Sequence, residues 1–349
     1  MKLTSPAPKP DNLARQVLPI DVNWQQWIAD NRLRHCTPQS MLKTMCDAGL
    51  DPSQSEAAIA AMEHNPGYLA AKRVLQQKAK LESIMANQQK LWEAAPNYSH
   101  VEKRSRVSRD EFIQRYVIGC RPVVLLDVAH DWPALKRWSP QDLAARFGQV
   151  EVEIQAGRSS DAAYEENKLK HKQRMKLAAF VDQVLKGGDT NDYYLTANNE
   201  ALRRPELAPL LQDIGSLPDL CDPARLAYES SIWFGPGGTV TPLHHDTTML
   251  LHTQITGRKR WRFISPLQTP RLYNTNGVFS PIDLDAPDLT RFPLLQGVQV
   301  LETVLNPGET IFLPLAWWHQ VKALEVSLSF SFSNLSLGAV AGSYEYADP

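Results

Sequence analysis

Between residues 230 and 334 the sequence breaks into short apolar or alternating segments: SSIWFG, MLLHTQIT, KRWRFIS, VQVLETVL, ETIFLP and VSLSFSFS. Proline, glycine or other turn residues separate most of them. Runs this short are too brief for ordinary helices, and their β-branched and aromatic content suits strands. Closely spaced strands joined by tight turns pair antiparallel. Their apolar faces must be hidden by a second sheet or by closure. The back of the chain is therefore expected to form a mainly β jelly-roll or barrel. Upstream, RPVVLLDV (121–128) and GQVEVEIQAG (148–157) read as further strands, and ALRRPELAPLLQDI (201–214) as helix and loop.

The front of the chain follows a different period. Residues 1–20 read as a flexible lead-in, and 21–100 as a helical N-terminal domain. Asp21 or Asn23 can cap a helix that carries Trp24, Trp27 and Ile28 on one side. Thr37-Pro38 and Asp51-Pro52 each place a capping side chain before a proline at the first helical position, and Gly49 suits a stop. A long helix is expected over 66–95, with Val74, Leu81, Met85 and Trp92 drawing one apolar stripe. The region is either a bundle packed on the main domain or a module that engages a partner or substrate peptide.

With 349 residues there is room for one large domain and a smaller one. The 37 basic and 38 acidic side chains cancel, which speaks against nucleic acid or an anionic membrane as partner. The four cysteines (36, 46, 120 and 221) form no CxxC pair, so neither a zinc ribbon nor a disulfide framework is expected. No leader-like apolar segment begins the chain and no apolar run is long enough to span a bilayer. These features give the expectation of a soluble, cytoplasmic protein. The basic run NKLKHKQRMK (167–176) is either a solvated face or loop, or a loop at a pocket mouth that attracts an acidic substrate.

The chemistry concentrates in TPLHHDTTMLLHTQITGRKRW (241–261). Strand residues two apart share a face, so His244 and Asp246 point together while His245 points away. His252 lies on the following strand, past the Thr247-Thr248 turn, within reach of the same cavity. One more histidine would complete a two-histidine, one-carboxylate set and leave positions open on the ion, the arrangement of non-haem Fe(II) oxygenases. The candidate is His319, in NPGETIFLPLAWWHQV (306–321). The remaining histidines (35, 64, 100, 130 and 171) lie outside the strand-rich region. Trp317, Trp318 and Trp233 read mainly as barrel packing.

The ordered set TPLHHD, GRKRW and PGETIFLPLAWWHQV resembles the JmjC, or cupin-like, family of Fe(II)- and 2-oxoglutarate-dependent oxygenases. Earlier landmarks are GCRPVVLLDVAHDWPALKRWS (119–139), YYLTANN (193–199) and IWFGPGGTVTPLHHD (232–246). The resemblance covers 108–334, leaves a C-terminal tail over 335–349, and is strongest to the single-domain protein-hydroxylase branch. It implies a double-stranded β-helix, the jelly-roll of cupin barrels, with flanking helices. It implies that His244, Asp246 and His319 hold iron and that Lys259 pairs with the distal carboxylate of 2-oxoglutarate. Thr241 and Tyr194 are implied as hydroxyl partners of that carboxylate. Lys259 and Arg260 are adjacent and face opposite ways, and the family pattern selects Lys259. Two positions depart from the pattern. Leu250 stands where relatives carry an asparagine, with His252 two residues on as its replacement or as a neighbour of the co-substrate. The last strand carries serines, of which Ser331 is the expected inward contact.

The implied activity is hydroxylation of an amino-acid side chain in a protein or peptide. Fe(II), 2-oxoglutarate and O2 are the implied cofactor and co-substrates, succinate and CO2 the by-products, and the triad the catalytic apparatus. The helical region is a candidate for engaging the substrate, and the chain is either a monomer or a homodimer. A small metabolite or RNA base is the alternative substrate, and N-methyl-lysine demethylation begins with the same hydrogen abstraction. A cupin metalloenzyme without 2-oxoglutarate is disfavoured by Lys259 and Thr241. A non-catalytic binding protein is disfavoured by the survival of all three ligands.

Overall fold

The computed structural model describes residues 19–197, 199–275 and 277–337. The lead-in expected over 1–20 and the tail expected over 335–349 lie almost wholly outside the described residues. The chain divides into two compact units, with the boundary between Asn87 and Gln88.

In the first unit, α1 (Val22–Leu33), α2 (Pro38–Asp47) and α3 (Pro52–Met62) begin at their capping side chains. The Asp21 carboxylate accepts from the Trp24 amide, Thr37 Oγ1 from Ser40 and the Asp51 carboxylate from Gln54. Pro38 and Pro52 fill first-turn positions, where a missing amide proton costs nothing. Gly49, at φ 94°, turns the chain out of α2 in a conformation that other residues avoid. The buried faces enclose Trp24, Trp27, Ile28, Met41, Met45, Ile59 and Met62, with the two tryptophan rings edge-on at 5.3 Å.

The long helix α4 (Pro66–Glu93) forms, but the stripe read along it is not one packed face. Val74 and Leu81 are 63% and 62% exposed, while Met85 and Trp92 are partly buried. At 3.6 residues per turn the four positions stay within about 40° of one another, and Val74 and Trp92 share one angle. The split therefore follows position along the helix and not rotation around it: the first two are exposed and the last two partly buried.

The second unit is built on strands. β1 (Glu102–Arg104), β2 (Val123–Leu125), β3 (Glu151–Ala156), β4 (Lys172–Lys176) and β5 (Tyr193–Tyr194) come first. Eight more follow: β6 (Ser230–Gly235), β7 (Val240–His245), β8 (Leu250–Thr256), β9 (Lys259–Ile264), β10 (Leu301–Leu305), β11 (Thr310–Leu313), β12 (Trp318–Ala323) and β13 (Ser327–Phe332). One sheet runs β1-β2-β11-β8-β13-β6, another β10-β9-β12-β7, and a small third β4-β3-β5. From β6 to β13 the chain changes sheet at every connection except β9 to β10, and every pairing within these eight is antiparallel. This is the expected jelly-roll, a double-stranded β-helix.

β4 was not legible in NKLKHKQRMK, which forms a short helix at Lys168–His171 and then this strand. The strand is mostly exposed and shows no apolar alternation. It is held instead by its ladder to β3 and by a 2.6 Å ion pair between Lys172 and Glu153. β13 shows the opposite case. Leu328, Phe330 and Phe332 pack outward into a core with Trp132, Trp138, Phe180 and Phe234. Ser329 and Ser331 alternate with them on the other face; Ser329 reaches Lys259 and Ser331 borders a cavity. Small side chains at those positions keep the barrel interior hollow.

Candidate active site

Strand pairing assembles the first part of the site. β7 and β12 run antiparallel with His244 directly opposite His319, and their ring centroids lie 4.1 Å apart. Asp246 follows the end of β7. Its Oδ1 is 3.8 Å from His244 Nε2 and its Oδ2 3.8 Å from His319 Nε2. The three ligand atoms lie within 4.8 Å of one another. His245 turns the other way, edge-on to Trp318 at 4.6 Å, as the strand period requires.

Main-chain carbonyls orient both imidazoles. His244 Nδ1 donates to Pro242 O at 2.8 Å, and His319 Nδ1 donates to Trp317 O at 3.0 Å. A carbonyl can only accept, so each Nδ1 carries a proton and each Nε2 is the nitrogen that faces Asp246. Burial, with His244 close by, holds His319 well below the ordinary histidine range. Burial also pushes the Asp246 carboxyl up, opposed by His244 and His245. Two imidazoles and one carboxylate form a donor set suited to a divalent metal, whose charge would favour the ionised carboxylate. The residues therefore fit iron.

A second polar cluster faces the same cavity. Lys259, at the start of β9, is 1% exposed and donates to Tyr194 Oη at 2.9 Å and Ser329 Oγ at 2.7 Å. The rings of Tyr194 and Trp233 each lie 5.6 Å from its ammonium. Among the described residues it has no ion pair with a carboxylate, and burial lowers its pKa to about 7. A buried ammonium supported only by neutral groups and open to a cavity is a receptor for an anion. Arg260, next in the chain, points outward and pairs with Asp285. Thr241 joins Lys259 and Tyr194 in the cavity wall.

The cavity has a volume of about 550 Å³, within the range of small-molecule sites. Every residue singled out in the sequence lies along it: the three candidate ligands, Lys259, Thr241, Tyr194, His252 and Ser331. Ser331, however, accepts from Trp233 Nε1 at 2.8 Å, and the serine that reaches Lys259 is Ser329, two residues earlier on the same face. The alternation of β13 contained that signal, but the register that selects one serine over the other did not. Trp233, expected in the core, is cavity wall. At the mouth, Lys168 is the one residue of the basic run in the lining, and Glu165, Glu200 and Glu229 are paired with Arg158, Arg203 and Arg225. The mouth thus has mixed charge rather than a basic surface.

A jelly-roll barrel that sets a two-histidine, one-carboxylate cluster and a buried cation around one cavity defines the non-haem iron oxygenase class of site. Residues 108–335 match the model of the Cupin-like domain, and the chain belongs to this JmjC-type family of iron- and 2-oxoglutarate-dependent oxygenases. It is 32% identical over 233 residues to lysine-specific demethylase 8 of Xenopus tropicalis, covering 64% of this chain and 50% of the relative. It is also 32% identical over 241 residues to lysine-specific demethylase JMJ30 of Arabidopsis thaliana, covering 66% and 54%. HSPB1-associated protein 1 of Bos taurus is 30% identical over 230 residues, covering 60% and 47%. The chain spans about half the length of these curated relatives. The first helical unit lies outside the residues matched by the family model. No helix among the described residues is long and apolar enough to cross a membrane.

Proposed function

We propose that this protein is an Fe(II)- and 2-oxoglutarate-dependent dioxygenase that hydroxylates an amino-acid side chain in a protein or peptide. The observation that carries the reading is Lys259, a fully buried cation without a carboxylate partner among the described residues, facing the same cavity as His244, Asp246 and His319. Iron held by those three residues supplies dioxygen activation coupled to decarboxylation of 2-oxoglutarate, one oxygen atom passing to succinate and the other to the substrate.

The protein's own groups do the positioning. Lys259 pairs with the distal carboxylate of 2-oxoglutarate. Tyr194 and Ser329 each accept from Lys259, which leaves their hydroxyl protons to donate onward to the same carboxylate. Thr241 adds a hydroxyl from β7. The carbonyl-locked imidazoles keep the ligand set oriented before anything binds, which lowers the reorganisation needed at the reacting centre. Trp233, Trp261, Phe279 and Phe332 wall the cavity and restrict water. The names of two relatives, lysine-specific demethylases, support an amino-acid side chain as the target.

Succinate release from 2-oxoglutarate with Fe(II) and ascorbate, stimulated by candidate polypeptides, tests the reading. Wild-type protein should convert a substrate to a product heavier by one oxygen atom, and Asp246→Ala should not. Those same names favour a second reading, N-methyl-lysine demethylation. It is separated by its products: hydroxylation retains the added oxygen, whereas demethylation releases formaldehyde and a substrate lighter by one methyl group.

A further inference from the structure

β8 places another histidine, His252, in the cavity wall. His252 is 3% exposed, and its Nε2 has no hydrogen-bond partner among the described residues. Aromatic neighbours fix the ring: Trp261 lies edge-on at 4.9 Å and Trp233 at 5.8 Å. Trp261 in turn stacks on His319 at 5.8 Å with its plane only 17° off parallel. His252 therefore stands behind the metal-binding cluster, one ring removed from it. Ser331 lies opposite His252 in the β8–β13 ladder, but its hydroxyl is already engaged by Trp233. Leu250, two residues earlier on the same face of β8, also lines the cavity and offers no polar atom.

Leaving a polar nitrogen buried and unpaired costs about 1–3 kcal/mol. Such a cost is tolerated at a site where a ligand removes it. Burial, reinforced by Lys259 and His319, keeps the imidazole neutral, so one of its two nitrogens carries a proton. Trp261 lines the same cavity, and its Nε1 is likewise without a partner among the described residues; two such nitrogens in one wall suit a polar ligand.

We propose that His252 is a co-substrate-positioning residue, donating from Nε2 to the end of 2-oxoglutarate that faces His319, while Lys259 takes the distal end. The assignment rests on the 2-oxoglutarate reading above. It places the hydrogen bond on β8 two residues later than Leu250, on the same face, so the donor is relocatable along the strand.

Calorimetric titration of 2-oxoglutarate into the Mn(II)-loaded protein tests this without turnover. His252→Leu should weaken binding about tenfold, the value of one well-placed hydrogen bond to an anion, with Mn(II) affinity unchanged and the unfolding midpoint of the protein without co-substrate no lower. The double variant Leu250→Asn/His252→Leu should recover most of that loss, because it returns a donor to the same face. Unchanged binding in His252→Leu would overturn the assignment, as would a loss that the double variant fails to recover, which would mark His252 as packing. If the wild-type protein itself binds no 2-oxoglutarate, the dioxygenase reading falls and this assignment with it. If the wild type binds and His252→Leu binds equally well, only the role of His252 falls.

Discussion

The two ends of the cavity are built on different physical plans. At the metal end, His244 and His319 are aimed by main-chain carbonyls, and the three ligand atoms lie within 4.8 Å of one another. At the other end, Lys259 is held by two side-chain hydroxyls, and its charge is uncompensated by any carboxylate among the described residues. The first end is a preorganised set of two imidazoles and a carboxylate. The second is a buried cation, which under the proposed function an incoming dianion would balance. The difference implies that substitutions at the two ends should change stability and binding in different combinations.

The largest effect is expected at the metal end. Asp246→Ala removes the carboxylate ligand and should abolish metal-dependent succinate release. It should leave the fold intact, with little change in unfolding midpoint. A variant that retained turnover would break the division between the two ends, because the chemistry would not depend on the triad.

Lys259→Met is expected to act in the opposite sense on stability. It removes a buried, uncompensated charge and keeps an unbranched side chain of similar length. The protein without co-substrate should therefore unfold at a higher temperature, by roughly 2–4 °C for each kcal/mol gained. Its affinity for 2-oxoglutarate should fall by about tenfold to a hundredfold, measured by calorimetry. A lower midpoint in Lys259→Met would show that the ammonium is structurally compensated after all.

The pH dependence follows from the same residue. Burial lowers Lys259 to about 7 in the empty site, and an ion pair with a carboxylate raises it again. Below about pH 7 the ammonium is already charged and affinity should be flat. Above it, binding must take up a proton, so affinity should fall by up to tenfold per pH unit. Calorimetry in buffers of differing ionisation heat would detect that uptake at pH 8 and find none at pH 6.

The smallest contrast lies within β13. Ser329→Ala removes one hydroxyl from the Lys259 ammonium, which keeps its bond to Tyr194, and should weaken 2-oxoglutarate binding a few-fold. Ser331→Ala removes a partner of Trp233 instead and should have less effect on that affinity. Equal losses would mean that the serines act together through the shape of the wall.

What could be read from the sequence follows the same division. The period of a strand is local, so the alternation that sends His244 and Asp246 one way and His245 the other was legible residue by residue. The caps of α1, α2 and α3 were legible for the same reason, since Asp21, Thr37 and Asp51 act within three residues. Ser329 was not singled out because choosing it over Ser331 needs the register of β13 against β6 and β8, along with the reach of Lys259 from another sheet. β4 was missed because ladder bonds and charge pairs hold it instead of apolar alternation. On α4, spacing shows which residues share a side but not which stretch of that side is covered, so Val74 and Leu81 are exposed while Met85 and Trp92 are partly buried.

The carbonyls of Pro242 and Trp317 that orient the two histidines carry one further consequence. A side-chain acceptor can be lost by a single codon change, but a main-chain oxygen is present whichever amino acid occupies the position. The protonation pattern of both imidazoles is thus inherited with the path of β7 and β12, and sequence drift around the metal centre can go far before it disturbs the face each ring presents.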